Sequence, residues 1–314
     1  MKRPTPQDYE RCLPVYSRLA RQFGGGFLAF TPDKLPAGGT EMTGLRDYSP
    51  GDDPRRIEWG ICARHDELRV REYGGTALRH AYILLDVSYG MLYLPVKLEA
   101  VRHILTVLSY GILDTGATLQ IGLYSENFAL RPPISGTKQM GTVFRLWDEI
   151  ELQKEQNPPA PECIPDFQLA AEAFLALKRP VGDVFVVSDF WGVSDSFEKE
   201  FSLGFQRLKH AGFAPHVLHV TCPRDGGDYL IGDVEIIDKG RNFRQIITLT
   251  EHDLARYEKL YNEYIESVQK FCQKNEFPYN MVGTGGMIPQ EMGLAVLGFP
   301  NAAICANPWQ EYIE

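Results

Sequence analysis

The chain has 314 residues, 44% hydrophobic and 23% charged, with a net charge of −9. That is a globular composition with room for about two units of ordinary domain size, and it excludes collagen-like and low-complexity chains. The acidic balance argues against a broad nucleic-acid footprint, which needs clustered Lys and Arg to displace counterions from phosphates.

No apolar run approaches the ~20 residues of a membrane helix, and Met1 to Gly26 lacks a secretory apolar stretch, so a cytoplasmic protein without a membrane span is expected. The six cysteines, Cys12, Cys62, Cys163, Cys222, Cys272 and Cys305, form no C-x-x-C pair and read as free thiols.

In chain order, Leu13, Val15, Leu19 and Phe23 recur at near-helical spacing before Gly24 to Gly26, which predicts a short N-terminal helix. From Phe27 to Gly75 turn formers dominate, with brief β pieces such as Leu68 to Tyr73, so an irregular β segment is expected there. After Gly75, short apolar runs alternate with amphipathic stretches, the pattern of a parallel sheet covered by helices on both faces. The predicted strands are Ala81 to Leu85, Leu119 to Tyr124, Val184 to Val187, His216 to Val220 and Pro278 to Val282. A helix over Lys97 to Leu113 carries a stripe of Leu98, Val101, Ile104, Leu105, Leu108 and Ile112 for packing on the sheet. Residues 228–249 read as a β-hairpin insertion, and because an isolated hairpin is marginal it is expected to pair with the Phe27 to Tyr73 pieces into a small β-rich subdomain. Helices over Glu251 to Gln273 and Pro289 to Leu297 bracket the last strand. The organisation expected is 1–77 as an N-terminal helix and irregular β segment, and 78–314 as an α/β domain with a mostly parallel sheet.

Two constellations carry chemistry. Asp86 and Ser88 in LLDVSYGM and Asp189 in VFVVSDFWG stand at strand ends, the edge where ligands gather in open parallel sheets, so they are expected to converge as a shallow oxygen-lined site suited to Mg²⁺. The same aspartates can instead cap the following helices, and by residue type alone that reading weighs more. The second constellation, Gly44 to Tyr73, interleaves Asp47, Asp52, Asp53, Arg55, Arg56, Glu58, Arg64 and Glu72. It reads either as a loop pinned by Arg–carboxylate pairs or as a recognition patch for an acidic partner or a phosphate, with the first favoured. No G-x-S-x-G, P-loop, G-x-G-x-x-G or H-E-x-x-H pattern is present, and His103, His216 and His219 read as core or edge residues.

The GLRDYSPGDDPRRIEW segment, the LLDVS strand end, GDVEIIDKG at Gly232 to Gly240 and FCQKNEFPYNMVGT at Phe271 to Thr284 resemble the domain-of-unknown-function 58 family. The resemblance implies a von Willebrand factor A-like doubly wound fold, no established enzymatic activity, and a role beside MoxR-type AAA+ ATPases in chaperoning or assembling proteins. It also implies a metal-ion-dependent adhesion site with the pattern D-x-S-x-S, a later Thr and a further Asp. Asp86, Ser88 and Asp189 match that pattern, whereas Gly90 stands at the second Ser position and Pro165 at the Thr position. The function expected is therefore a protein-interaction or assembly module with a degenerate Mg²⁺ site. The alternative is a hydrolase in which a cation held by Asp86 and Asp189 activates water.

Overall fold

The computed structural model describes residues 42–48, 57–65, 68–73, 80–156, 165–191, 197–222, 231–238 and 243–283. The predicted helices near 9–23 and 289–297, and the Pro50 to Asp52 turn, lie outside these residues. By its contacts the chain divides into two units, residues 30–79 forming one and the chain from residue 80 onward the body of the other.

In the smaller unit, β1 (Met42–Asp47) and β2 (Arg69–Tyr73) pair antiparallel around a register shift between Met42 and Gly44. Between them runs a seven-residue helix, α1 (Trp59–His65), in a stretch read from sequence as irregular β structure. Val70 and Ile57 are buried and joined by an isolated antiparallel bridge. Arg69 and Asp47 stand 3.8 Å apart and are substantially exposed, so water and salt screen them to ~0–1 kcal/mol.

The larger unit is a mixed α/β structure around a mostly parallel sheet. The strands β3 (His80–Asp86), β4 (Thr118–Tyr124), β7 (Asp183–Ser188), β8 (Ala214–Thr221) and β11 (Tyr279–Gly283) run parallel, and β5 (Phe128–Leu130) and β6 (Ile134–Ser135) pair antiparallel to β4. The order across the sheet is β11-β8-β7-β3-β4-β5. The central strands are near-continuous apolar runs because both faces are covered. Ala81, Ile83 and Leu85 point one way and Tyr82 and Leu84 the other, and all five are fully buried.

After β3 comes the short helix α2 (Tyr89–Tyr93), and on one face lie α3 (Pro95–Asp114) and α4 (Met140–Gln156). On the other lie α5 (Phe167–Ala176), α6 (Phe197–His210) and α7 (Glu251–Asn275). This second layer is held by aromatic packing: Phe197, Phe201 and Phe205 recur every fourth residue on α6 and meet Phe167, Phe190 and Phe271 at centroid distances of 4.6 to 6.4 Å. Gly204 lets α5 approach α6, since a Cβ there would stand 2.8 Å from the Phe167 ring.

The predicted hairpin forms as β9 (Gly232–Asp238) and β10 (Phe243–Leu249). Among the described residues it and β1–β2 form separate two-stranded sheets. Its own register already satisfies the ladder, from Phe243 opposite Asp238 to Leu249 opposite Gly232, so no third strand is needed to define it.

Candidate functional site

The strand order fixes where a site can form. From β3 the chain steps to β4 on one side, and β7 then returns to pair with β3 on the other. The reversal lies between β3 and β7, and in open α/β sheets the crevice beyond the strand ends at such a reversal is the ligand position. Asp86 is the last residue of β3, and Ser188 and Asp189 are the last residue of β7 and its successor. The three sequence-predicted residues Asp86, Ser88 and Asp189 thus meet at one end of the sheet.

They meet inside the protein, not on a shallow rim. Asp86 is 0% exposed, and Ser88 and Asp189 are 4% exposed. This burial corrects the sequence expectation of a shallow oxygen-lined site. Every oxygen of both carboxylates is occupied. Asp86 Oδ1 accepts the Ser88 backbone N–H at 2.8 Å and Oδ2 accepts the Ser188 hydroxyl at 2.7 Å. Asp189 Oδ1 accepts the Trp191 N–H at 3.2 Å, and Oδ2 receives the Lys97 ammonium at 2.8 Å. The Ser188 hydroxyl in turn accepts the Phe190 N–H at 2.9 Å. Each acid therefore holds the backbone two residues ahead of it, a local turn bond. This is close to the capping alternative, except that what is held is the strand-end turn.

Lys97, Tyr124 and His219 join the site from other elements. Lys97 sits in the first turn of α3 and is 2% exposed. A cation at a helix N-terminus faces the positive end of the helix dipole, so burial there requires a carboxylate partner, which Asp189 supplies. The signal was available: Lys97 lies on the same stripe as Val101, Ile104 and Leu108, where a lysine without a partner would be costly. Tyr124, at the end of β4 and in register with Asp86, is buried, and burial together with the Asp86 charge raises its hydroxyl well above the usual tyrosine range. That hydroxyl forms no well-aligned hydrogen bond; Ser188, its polar neighbour, already donates to Asp86 and accepts from Phe190. His219 of β8 contacts Tyr279 Oη through Nδ1 at 3.0 Å, and burial lowers its pKa to about 4, so the ring is neutral at pH 7.

The charges do not cancel by themselves, since two buried carboxylates face one ammonium. The remainder falls on Asp86, whose pKa is pushed up to about 7, first by burial and then by the Asp189 charge, against the hydrogen bonds from Ser188 and Ser88.

The turn that follows has a further feature. Phe190 has φ 53°, a left-handed conformation that costs a bulky residue about 1–3 kcal/mol unless its surroundings impose it. They do: its ring is buried against Phe197, Phe201 and His219, and Tyr264 donates its hydroxyl to the Phe190 carbonyl. The reversal turns Asp189 inward and Trp191 outward. Trp191, 36% exposed, stacks on Tyr264 at 5.4 Å and 5° and on Tyr261 at 5.9 Å and 26°.

An adhesion-site metal can be tested against these residues, and they do not fit it. Gly90 has no hydroxyl, and buried Pro165 has none either. Its neighbour Asp166 turns away to cap α5, accepting the Leu169 N–H at 3.0 Å. The Lys97 ammonium already holds Asp189. At ~4 Å in a protein interior of effective dielectric ~20, a divalent cation beside it meets a repulsion of about 8 kcal/mol, twice the value for two single charges. Among the described residues no group of three His, Cys, Asp or Glu side chains is arranged to hold a metal. No helix of the described residues is long and apolar enough to cross a membrane.

The comparisons follow this geometry. Uncharacterized proteins of Mycobacterium tuberculosis and Mycobacterium bovis are 25% identical over 213 residues, covering 65% of this chain and 62% of theirs. The chain thus matches somewhat less than two thirds of the length of these relatives. Among solved structures, an aerotolerance-related membrane protein from Bacteroides fragilis aligns with a TM-score of 0.38 at 15% identity, over 71% of this chain and 98% of that one. The conserved hypothetical protein BatB from Bacteroides thetaiotaomicron aligns with a TM-score of 0.36 at 14% identity, over 71% and 100%. The family model described as protein of unknown function DUF58 matches residues 44–260, which takes in the charged segment, the buried cluster and most of the sheet, and the chain therefore belongs to that family.

Proposed function

We propose that this chain is a cytoplasmic protein-interaction module of von Willebrand factor A-like architecture that serves protein assembly. Its contact face is the aromatic ledge of Trp191, Tyr261 and Tyr264, and its partner is a MoxR-type AAA+ ATPase. The observation that carries this reading is the strand-end turn at the sheet's reversal point, where Asp189 is locked inward and Trp191 is held outward on two tyrosines. Rigid, part-exposed aromatic side chains are the residues that dominate binding energy at protein interfaces, because they bury much area with little loss of side-chain freedom. The buried acids support the ledge rather than touch the partner. The resemblance to the family supports the choice of partner. The hydrolase alternative on Asp86 and Asp189 is not favoured by any contact of these side chains, since each carboxylate oxygen already has a donor.

The reading is tested by titrating the full chain with the MoxR-type ATPase of the same cell. Trp191→Ala weakens binding about 30-fold, the effect of losing ~2 kcal/mol at an interface hot spot, and leaves folding intact. Equal affinity of the variant and the parent, or no binding by either, refutes it.

A further inference from the structure

We infer that Lys97 is the resident cation of this site: its ammonium takes the place that a divalent metal holds in an adhesion site, and the cluster works without metal. Three departures from the adhesion pattern act as one replacement. Lys97 Nζ bonds Asp189 Oδ2 at 2.8 Å with both side chains buried, so the carboxylate that would serve a metal serves an internal cation. Gly90 stands beside the same oxygen, and a Cβ there would lie 3.5 Å from Asp189 Oδ2, an ordinary contact. Backbone geometry therefore does not demand glycine, as no left-handed angle is recorded at this position. Its effect is to leave out a hydroxyl that would compete with the ammonium for Asp189. Pro165 removes the third donor, and Asp166 is committed to the α5 cap. Of the pattern's donors only Asp86, Ser88 and Asp189 remain, and the charge a metal would bring is already present on a tethered side chain.

Divalent cations then have no role in organising the switch-point turn or whatever it presents. This holds whichever partner the chain meets, so it can fail without touching the proposed function.

The experiment has two arms on the full chain. In the first, thermal unfolding is followed in EDTA and in Mg²⁺ or Mn²⁺ at millimolar concentration. The midpoint stays within about 1 °C, whereas occupancy of a site at a hundred-fold excess over Kd would raise it by roughly 4 °C. In the second, ¹⁵N-lysine NMR at neutral pH shows a protected Lys97 ammonium resonance that disappears in Asp189→Asn, while surface lysines exchange too fast to be seen. Saturable Mg²⁺ or Mn²⁺ binding by the parent that Asp189→Asn abolishes, or a Lys97 ammonium exchanging as fast as a surface lysine, overturns the inference.

Discussion

Lys97→Met lowers the stability of the chain by about 3–5 kcal/mol in urea unfolding at pH 8. Methionine keeps most of the apolar stem of the lysine and omits only the ammonium position, so the loss reports chiefly the missing charge. Removing one partner of a buried pair leaves the other charge uncompensated in a low-dielectric site, which costs far more than the net worth of the pair. Here the orphaned group is Asp189, with Asp86 close enough to raise the burden further. Exposed pairs set the contrast. Deleting Lys270, which bonds Glu266 at 2.9 Å on the surface of α7, changes stability by less than ~1 kcal/mol. A Lys97→Met effect of that small size would mean that the ammonium is not buried against Asp189.

Asp86→Asn stabilises the chain at pH 8 relative to the parent, and the gain disappears toward pH 4. The folded-state pKa of Asp86 is raised from 3.8 to about 7. Below ~4 both folded and unfolded states hold the proton. Between 4 and 7 only the folded state holds it, so parental stability falls as pH rises. Above 7 both states are ionised and the loss is complete. The difference between variant and parent therefore grows by roughly 1.4 kcal/mol per pH unit at most across that window, reaching a few kcal/mol. Asparagine retains an acceptor for the Ser88 N–H and keeps the shape of the site. His219 works in the opposite sense: its folded-state pKa, lowered to about 4, makes stability rise with pH between 4 and 6.5. In the parent the two slopes largely offset each other below pH 6.5. In Asp86→Asn the His219 slope stands alone, and chemical denaturation at a series of pH values separates them. A variant whose pH profile parallels the parent's would show that Asp86 ionises as an ordinary carboxylate.

Much of the fold was legible in the sequence because buried parallel strands are short, apolar and bounded by turn formers. Ala81 to Leu85 was expected as a strand and β3 runs over His80–Asp86; Val184 to Val187 was expected and β7 runs over Asp183–Ser188. The hairpin is marked by alternation around Lys239 and Gly240, and it forms as β9 and β10; sequence gives a strand's register with its neighbour across a turn, not which distant edge it meets. The helix at Trp59–His65 was missed because its charged, turn-rich surroundings hide a two-turn pattern.

The site divides in the same way. That Asp86 and Asp189 should meet followed from their position after two apolar runs. That they would be buried did not, since burial depends on the helices folded over the strand ends, and a carboxylate in a sequence looks the same in water and in a core. Ser188 adjoins Asp189 in the sequence, and its hydroxyl is the donor on Asp86 Oδ2. Lys97 was hidden by its place at the start of a strongly apolar helix, where its four-carbon stem follows the stripe. Trp191 and its tyrosines come from elements far apart in the chain, and only the fold brings them together.

A double-mutant cycle between Lys97→Met and Asp189→Asn tests the buried pair most directly. If the ammonium and the carboxylate compensate each other in the interior, the paired change costs less than the sum of the single changes by about 2 kcal/mol or more. Additivity within ~0.5 kcal/mol would contradict it, because two groups that do not feel each other cannot be the charge balance of one site.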